Sequence, residues 1–333
     1  MNPSYKQTCK IDPTKIDFSA FDQKSVPRDL FSEADLHAAG IFQKQGDFLG
    51  KAVKLVRDKK HAKVFLWIMI AAILTAIVLF IVPIVTGVRG VLLGLLTAVC
   101  SLAVMISVVL FALYMLGWVS EASQRIPLKW LLFASQNGFK YHATSTGDNN
   151  MAATAFNLGY TGQVFNTLEL DERLSVAEYS YKTKNGEQEI THHFNFARFQ
   201  LGNNVPHLVL DSKYSALQIQ GEQEITLEGN FQDYFTLYAP TDCEVDALQI
   251  FTPDVMGTLL DQAGKYDVEL IGSDLYIYDM KQGLVESGLT VDGLVNSVED
   301  RKRHSQFINF LTSAIKIASE INEQTDHYIN THL

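Results

Sequence analysis

The feature that most constrains this chain is an apolar stretch from Val64 to Val119, in which Arg89 is the only charged residue. The runs on either side, residues 64–86 and 91–119, each exceed the roughly 20 residues that a helix needs to cross about 30 Å of hydrocarbon. Two adjacent uncharged runs of this length would leave a pair of buried soluble helices with no polar face. The sequence therefore predicts two transmembrane helices within residues 63–119, joined by a turn at Pro83–Gly90.

Basic residues before the first apolar run indicate the orientation of this hairpin. The turn between the runs offers only Arg89, so the excess of positive charge predicts that both termini are cytoplasmic. The expected location is the plasma (inner) membrane, with the lipid bilayer as a partner. The residues predicted to lie at the membrane interface are Lys51, Lys54, Arg57, Lys59, Lys60, Lys63, Trp67, Trp118 and Arg125.

Small residues follow one face of the second predicted span. Gly90, Gly94, Ala98 and Ser101 would allow a neighbouring helix to approach closely. That neighbour is either the other helix of the hairpin or a second copy of the chain, which would make a homo-oligomer. Neither run carries Asp, Glu, Lys or His, and this absence argues against an ion-coupled transporter built from this chain alone.

The charge is divided unevenly along the chain. Residues 1–119 contain 13 Lys and Arg against 8 Asp and Glu, whereas residues 120–333 contain 14 against 29. Binding to phosphates requires clustered Lys and Arg, so the acidic larger part argues against nucleic acid as a partner.

Composition and periodicity divide the chain into five segments. Residues 1–31 are polar and aperiodic, which predicts a disordered or loosely attached N-terminus. Residues 32–62 are predicted to form a basic amphipathic helix that begins with a capping arrangement at Ser32–Asp35 and lies either on the membrane or on the soluble domain. Residues 63–119 form the hairpin, residues 120–285 a cytoplasmic α+β domain, and residues 286–333 a C-terminal helix.

Alternating apolar residues indicate that the domain over residues 120–285 is mainly antiparallel. Two alternating segments, 176–183 and 188–201, flank Asn185-Gly186, a dipeptide typical of tight hairpins. Further strands are expected over 207–210, 245–252, 268–271 and 275–278, among others. Short helices are expected over 126–137 and 253–263, the second with Pro253 in its first turn. The predicted fold class is an α+β membrane protein with a transmembrane helical hairpin, a mainly antiparallel cytoplasmic domain and a C-terminal helix.

Catalytic, metal and phosphate motifs are not found in the sequence. His192 and His193 are neighbours on a predicted strand, so they point to opposite faces and cannot share a metal ion. His207 and Asp211 are about 13 Å apart on an extended chain, too far for a catalytic pair. Cys243 has no histidine close in sequence that would lower the pKa of its thiol. We therefore predict no catalytic residue, no cofactor and no metal ligand, and we expect the domain's most enclosed cavity to be lined by aromatic and aliphatic side chains, not by titratable groups.

The stretch over residues 224–278 resembles the soluble domain of a family of uncharacterised bacterial membrane proteins, common in actinobacteria and candidate-phyla bacteria. The resemblance extends over about residues 130–280 and includes the upstream motifs PHLVLDS and NGFKY. It implies a two-span membrane protein with a cytoplasmic α+β domain, and it implies no activity. The residues that carry it are Leu227, Glu228, Gly229, Phe231, Phe235, Leu237, Tyr238, Pro240, Glu244, Asp246, Ala247, Leu248, Phe251, Thr252, Pro253, Asp254 and Met256.

Three functional hypotheses follow from these observations. The first is a membrane-anchored cytoplasmic binding or scaffold module without enzymatic activity, which binds another protein. The second is a membrane-tethered hydrolase with an unrecognised site. The third is an accessory subunit of a transporter. A protein partner, or a second copy bound through the hairpin, is expected under the first hypothesis.

Overall fold

The structure is a computed structural model that describes most of the chain outside residues 42–126. The described residues are 11–23, 26–41, six positions between 102 and 112, 127–144, 151–215, 222–227, 229–261, 265–279 and 297–332, the last with side chains over 305–328. The chain divides into two compact units. One consists of residues 1–41 and 127–333, and the other of residues 42–126.

A single antiparallel sheet of seven strands forms the centre of the first unit. The strands follow the order β1-β2-β3-β4-β6-β5, and β7 pairs with β4 outside this path. Their bounds are β1 (Lys140–Thr144), β2 (Tyr160–Glu169), β3 (Leu174–Asn185), β4 (Gln188–Ser212), β5 (Gln223–Ile225), β6 (Phe235–Ala239) and β7 (Asp267–Asp279).

Few helices accompany the sheet in the described part of this unit. They are α1 (Glu33–Ala38), α2 (127–137), α3 (Glu244–Ile250), α4 (Pro253–Asp261) and α5 (Ser297–His332). Short 3-10 helices lie at Pro13–Lys15, Ser19–Asp22, Arg28–Leu30, Thr154–Asn157 and Gly229–Asp233.

The long strand β4 organises the sheet. Its first half pairs with β3 through the predicted hairpin, in which Gly186 has a φ of +63° that favours glycine. Its second half pairs with β6, and β7 pairs with β4 along both halves. Irregular pairing between Gln200 and Leu208 bends β4, and Gly272 lies opposite this bend. The separate strands predicted over 188–201 and 207–210 are therefore one strand, as are those over 268–271 and 275–278.

One face of the sheet carries the larger hydrophobic core, which the helices cover. Phe307, Phe310, Leu311, Ala314 and Ile321 recur at helical spacing along α5 and are almost fully buried, as the sequence pattern predicts. From α2, the Trp130 ring meets that of Phe307 edge to face, with centroids 4.4 Å apart. Aromatic pairs of this geometry add stability beyond the burial of their area.

The segment before α1 also belongs to this core. Phe21 is buried and packs edge to face on Trp130, with ring centroids 5.0 Å apart. Residues 11–23 and 26–31 thus contact the core, where a disordered or loosely attached segment was expected. The predicted capping arrangement is present, since Ser32 and Asp35 each accept a hydrogen bond from the other's backbone N–H. Helix α1 ends at Ala38, and Gly40 follows with a φ of +69°.

One predicted strand is a helix. Residues 245–252 show alternation that suggested a strand, but the structure has α3 there. Ala247 and Ile250 are buried whereas Val245 and Leu248 are exposed, a spacing of three that suits a helix lying on the core.

The predicted transmembrane spans lie outside the described residues except at positions 102, 105, 106, 108, 109 and 112, which are helical and exposed. Among the helices that the structure describes, none combines the length and apolar character needed to cross a membrane. This finding contradicts the predicted fold class and the predicted multi-pass location in the plasma membrane, because both depended on the hairpin. The described fold is a mainly antiparallel sheet domain with few helices.

Candidate functional site

The face of the sheet opposite the large core carries a second cluster of buried residues, rich in aromatic rings. We call it the aromatic cluster and its side of the sheet the aromatic face. Strands β3, β4 and β7 supply most of the rings, and the 3-10 helix Thr154–Asn157 covers them. The aromatic members are Phe156, Tyr179, Tyr181, Phe194, Phe196, Tyr276 and Tyr278.

Phe156 fastens the covering helix to the sheet. Its ring centroid lies 4.8 Å from that of Tyr179 and 5.0 Å from that of Phe196, both in edge-to-face geometry. The Tyr179 hydroxyl donates a 2.9 Å hydrogen bond to the Phe156 carbonyl oxygen. The covering segment is therefore held by its side chain and by its backbone.

A buried carboxylate fixes the same segment from the other side. Glu269 on β7 has no exposed surface, and its two oxygens accept hydrogen bonds from three residues. Thr154 donates through its backbone N–H at 2.8 Å and through Oγ1 at 2.7 Å. His207 Nε2 lies 2.8 Å from Oε1, and the Tyr278 hydroxyl donates to Oε2 at 2.9 Å. An ionised carboxylate offers about four acceptor sites, so Glu269 is fully engaged.

The environment of Glu269 favours its ionised form. Burial alone raises the pKa of this carboxyl, but the hydrogen bonds from His207, Thr154 and Tyr278 outweigh it, so the pKa lies below its ordinary value. The hydrogen bond to Glu269 raises the pKa of His207 against the opposing effect of burial. Burial, followed by the charge of Glu269, raises the pKa of the Tyr278 hydroxyl.

The pair of His207 and Glu269 resembles a catalytic base and the carboxylate that orients it. The neighbouring hydroxyl groups, however, donate their hydrogen bonds to the carboxylate. Both hydroxyls in the group, on Thr154 and Tyr278, donate to Glu269. A nucleophile activated by histidine would instead donate to the imidazole nitrogen. In this geometry the group anchors the covering segment to β4 and β7.

Two positions before Glu269, a second buried carboxyl has a different environment. Asp267 is also fully buried, and it accepts hydrogen bonds from the Ser212 backbone N–H at 2.8 Å and from the Ser215 hydroxyl. Burial raises the pKa of Asp267 to about 8, and the nearby charges of Asp211 and Asp279 act in the same direction. A pKa of about 8 favours the protonated form of Asp267 at neutral pH.

The candidate histidines 192 and 193 lie on opposite faces of β4, as strand alternation predicts. The His192 ring stacks on Tyr181 with centroids 4.8 Å apart, and its Nε2 lies 2.7 Å from the Thr183 hydroxyl oxygen. The His193 ring meets Phe165 edge to face at 6.1 Å. Burial, followed by the charge of His192, lowers the pKa of His193.

The other candidates do not come together with these histidines. His207 is paired with Glu269, a residue that the sequence reasoning did not select. Asp211 lies near Asp267 and contributes to its raised pKa. Cys243 precedes α3, and burial, with the charges of Asp246 and Asp242, raises the pKa of its thiol. Within the described part of the chain, no group of three or more His, Cys, Asp or Glu side chains is arranged to hold a metal ion.

The aromatic face also contains an open groove of about 550 Å³, which we call the β3 trough. Its floor follows Ser175 and Ala177 of β3, two small residues, between larger side chains on β2 and β4. This groove is open and has titratable side chains in its lining, so the expectation about the domain's most enclosed cavity stays a prediction. The described lining residues are Lys140, Met151, Val164, Thr167, Glu169, Asp171, Glu172, Arg173, Leu174, Ser175, Ala177, Phe196, Arg198 and Gln200.

Sequence reasoning missed Glu269, Asp267 and Thr154. In the stretch DVEL, the acidic residues alternate with Val268 and Leu270, the pattern of a strand with one solvated face. The covering helix buries that face, and no pattern in the neighbouring sequence indicates this burial. A short run of small and aromatic residues, AATAF at 152–156, was the available hint of a packed segment.

The predicted membrane-interface residues, Lys51, Lys54, Arg57, Lys59, Lys60, Lys63, Trp67, Trp118 and Arg125, lie outside the described residues. The predicted helix-packing residues Gly90, Gly94, Ala98 and Ser101 do so as well.

Comparison with models of protein families, with curated proteins and with solved structures finds no match for this chain. The resemblance to a family of uncharacterised bacterial membrane proteins therefore stays a prediction.

Proposed function

We propose that this chain is a non-catalytic binding module, which holds a short segment of a partner protein in the β3 trough. The observation that supports the proposal is the trough itself. Its volume of about 550 Å³ falls within the range of about 300–1,000 Å³ found for ligand sites in proteins. Ala177 of the floor and the flanking Val164 and Phe196 give the trough apolar surface, and charged side chains at the rim can fix the orientation of a ligand.

The shape of the trough favours an extended segment over a compact ligand. Ser175 and Ala177 lie two residues apart on the same face of β3, so the deepest part of the trough runs along the strand. The aromatic cluster lies at one end and the turn at Asp171–Arg173 at the other. An extended peptide has the same two-residue repeat as this floor.

A selection experiment tests the proposal. A phage-displayed library of random twelve-residue peptides is selected on the full chain, and enriched peptides are titrated against variants. Ser175→Tyr fills the trough and is expected to reduce binding at least tenfold. Thr191→Tyr, which adds the same side chain at an exposed position of β4 outside the trough, is the matched control and should bind normally.

The proposal fails if no peptide is enriched, or if both variants bind the enriched peptides as the unaltered chain does. Circular dichroism and thermal unfolding of both variants establish that the sheet is intact. A loss of binding in Ser175→Tyr together with a lost unfolding transition would call for Ser175→Thr, a smaller addition at the same site, which should weaken binding by a lesser factor.

A hydrolase is the second candidate, favoured by the His207–Glu269 pair alone. The raised pKa of His207 and the buried carboxylate behind it suit an acid or a base. If this function is correct, a panel of chromogenic esters, phosphoesters and peptides should include one whose hydrolysis is abolished in His207→Gln. Equal background rates for both proteins on the whole panel would leave the binding module as the better account.

A further inference from the structure

The β3 trough is open over only part of the strand that forms its floor. Ser175 and Ala177 line the trough, and the next residues on the same side of β3 are Tyr179 and Tyr181. Both tyrosines belong to the aromatic cluster beneath the covering helix. The trough and the cluster also share three residues, Val164, Ala177 and Phe196. The open trough and the covered cluster are therefore two parts of one surface along β3.

A short segment of the chain closes the trough at Tyr179. We call residues 151–158 the strap; it contains the covering helix, and its first residue, Met151, lines the trough. The ring of Phe156 meets that of Tyr179 edge to face, with centroids 4.8 Å apart. An extended ligand that followed β3 beyond Ala177 would therefore collide with the strap.

The strap contacts the sheet in the way that a bound peptide would. Thr154 donates its backbone N–H and its hydroxyl to the buried Glu269, at 2.8 and 2.7 Å. Phe156 places its ring in the aromatic cluster, and its carbonyl oxygen accepts a hydrogen bond from the Tyr179 hydroxyl. Small residues without exposed surface fill the two remaining positions, Ala153 and Ala155. The surface thus selects a small residue, Thr, a second small residue and Phe, in that order.

The strap can leave without disrupting the strand pairing of the sheet. Its covering helix is a single 3-10 turn, and among the described residues no backbone–backbone hydrogen bond joins the strap to a strand. Just after the strap, Thr161 has a φ of +52°, which is unfavourable for a β-branched residue, and β2 pairs irregularly with β3 there. The closed arrangement therefore includes an unfavourable contribution, which lowers the free energy that a competing ligand must supply.

We propose that the strap is an autoinhibitory contact, in which residues 153–156 occupy the part of the β3 surface that a partner segment of the same type occupies when it binds. This inference rests on the proposed function and adds the sequence that the site accepts and the way in which it is regulated. The partner segment carries Thr two residues before Phe, with small residues beside the Thr. It lies along the trough and displaces the strap from Tyr179.

The first experiment uses a fluorescein-labelled peptide with the sequence of the strap, MAATAFNL, and measures its binding to the full chain by fluorescence anisotropy. Phe156→Ala removes the ring that occupies the site, so this variant should bind the peptide at least tenfold more tightly than the unaltered chain. Leu158→Ala, at the 37% exposed end of the strap, is the matched control and should bind as the unaltered chain does.

Altered peptides test the sequence preference. Peptides with Ala in place of Phe, or Val in place of Thr, should bind Phe156→Ala at least tenfold more weakly than the strap peptide does, because each loses one of the contacts to the sheet. Equal binding of the three peptides would overturn the proposed recognition. Circular dichroism of Phe156→Ala establishes that the sheet is intact.

A second experiment uses the unaltered chain and separates autoinhibition from the filling of an artificial cavity. Hydrogen exchange of the Thr154 amide is followed by NMR on isotope-labelled chain, with and without a saturating peptide from the phage selection. Displacement of the strap breaks the hydrogen bond from this amide to Glu269, so exchange should accelerate at least tenfold. The Leu210 amide, on β4 between β6 and β7, should keep its exchange rate and is the control for general unfolding. Unchanged or slower exchange of the Thr154 amide would overturn autoinhibition.

The outcomes distinguish the two levels of the proposal. Selected peptides that lose binding in Ser175→Tyr but leave the exchange of the Thr154 amide unchanged would overturn autoinhibition and leave the proposed function intact. A dimer of the unaltered chain that Phe156→Ala dissociates would assign the site to the strap of a second copy and overturn the proposed partner. Failure of the phage selection, together with no binding of the strap peptide by Phe156→Ala, would overturn both.

Discussion

Glu269 and Asp267 lie two residues apart on the same face of β7, both fully buried, yet the protein shifts the pKa values of their carboxyl groups in opposite directions. The difference lies in their partners. Glu269 receives four hydrogen bonds, one of them from a histidine whose pKa is raised, whereas Asp267 receives two and lies near the acidic side chains of Asp211 and Asp279. The rise in pKa that burial causes is opposed by hydrogen bonds at Glu269 and reinforced by neighbouring negative charges at Asp267.

Replacement of Glu269 by Gln should lower the free energy of unfolding by about 2–4 kcal/mol. The buried groups that donate hydrogen bonds to the carboxylate would then face a neutral amide. Urea titration at pH 7 measures this change. Glu189→Gln, at an exposed ion pair, is the control and should change stability little. Equal stability of the two variants would show that the hydrogen bonds to Glu269 contribute nothing net.

The acid dependence of stability provides a second check on Glu269. Its pKa is lower in the folded protein than in the unfolded chain, so its contribution is present above the unfolded pKa of about 4.3. That contribution is lost as the pH falls through the folded pKa. We expect the unaltered chain to lose more stability between pH 5 and pH 3 than Glu269→Gln does. Parallel curves for the two proteins would contradict the lowered pKa.

Asp267 predicts the reverse behaviour at higher pH. The unfolded carboxyl loses its proton near pH 4, whereas the folded one retains it up to about pH 8. The native state therefore binds more protons between these values, and stability from this group falls as the pH rises. Asp267→Asn mimics the protonated form, so we expect its stability relative to the unaltered chain to rise by about 4 kcal/mol between pH 5 and pH 9. Asp233→Asn, on the exposed side of a 3-10 helix, should show no such pH-dependent gain.

Local sequence patterns were sufficient to predict the elements whose structure is determined by their own residues. Asn185-Gly186 predicted the β3–β4 hairpin, and Pro253 with its apolar spacing predicted α4. Elements that depend on partners elsewhere in the chain were missed. Residues 245–250 alternate like a strand, but Ala247 and Ile250 bury a helical face on the core.

The candidate site could not be read from the sequence for the same reason. The β3 trough exists because Ser175 lies between Glu169 and Arg198, residues that are separated along the chain and meet only through strand register. The pairing of Glu269 with His207 and Thr154 likewise joins three distant segments. The alternation of acidic and apolar residues around Glu269 is typical of a strand with one solvated face, whereas the covering helix buries that face.

His207 and His193 have pKa values shifted in opposite directions, which NMR titration can measure. The pKa of His207 should lie above 6.5, since its hydrogen bond to Glu269 favours the imidazolium, whereas the pKa of His193 should lie below 6.5 because of burial. The stability contributed by His207 is complete below pH 6.5 and is lost as the pH rises through its raised folded pKa. In Glu269→Gln the titration of His207 should move to lower pH while that of His193 stays in place. A fixed His207 titration would contradict the pairing.

Phe156 provides the last prediction, which concerns how firmly the covering helix is held. Its side chain is nearly fully buried among Tyr179, Phe196 and Tyr276, so truncation to Ala removes these contacts and leaves a cavity. Such substitutions typically cost about 3–5 kcal/mol. Leu158→Ala, two residues later at a position that is 37% exposed, should cost clearly less than Phe156→Ala. Because Phe156 and Glu269 hold the same segment, hydrogen exchange of the Thr154 amide should accelerate in Phe156→Ala and in Glu269→Gln but not in Leu158→Ala. Unchanged protection of that amide in the first two variants would show that the segment is held by other contacts.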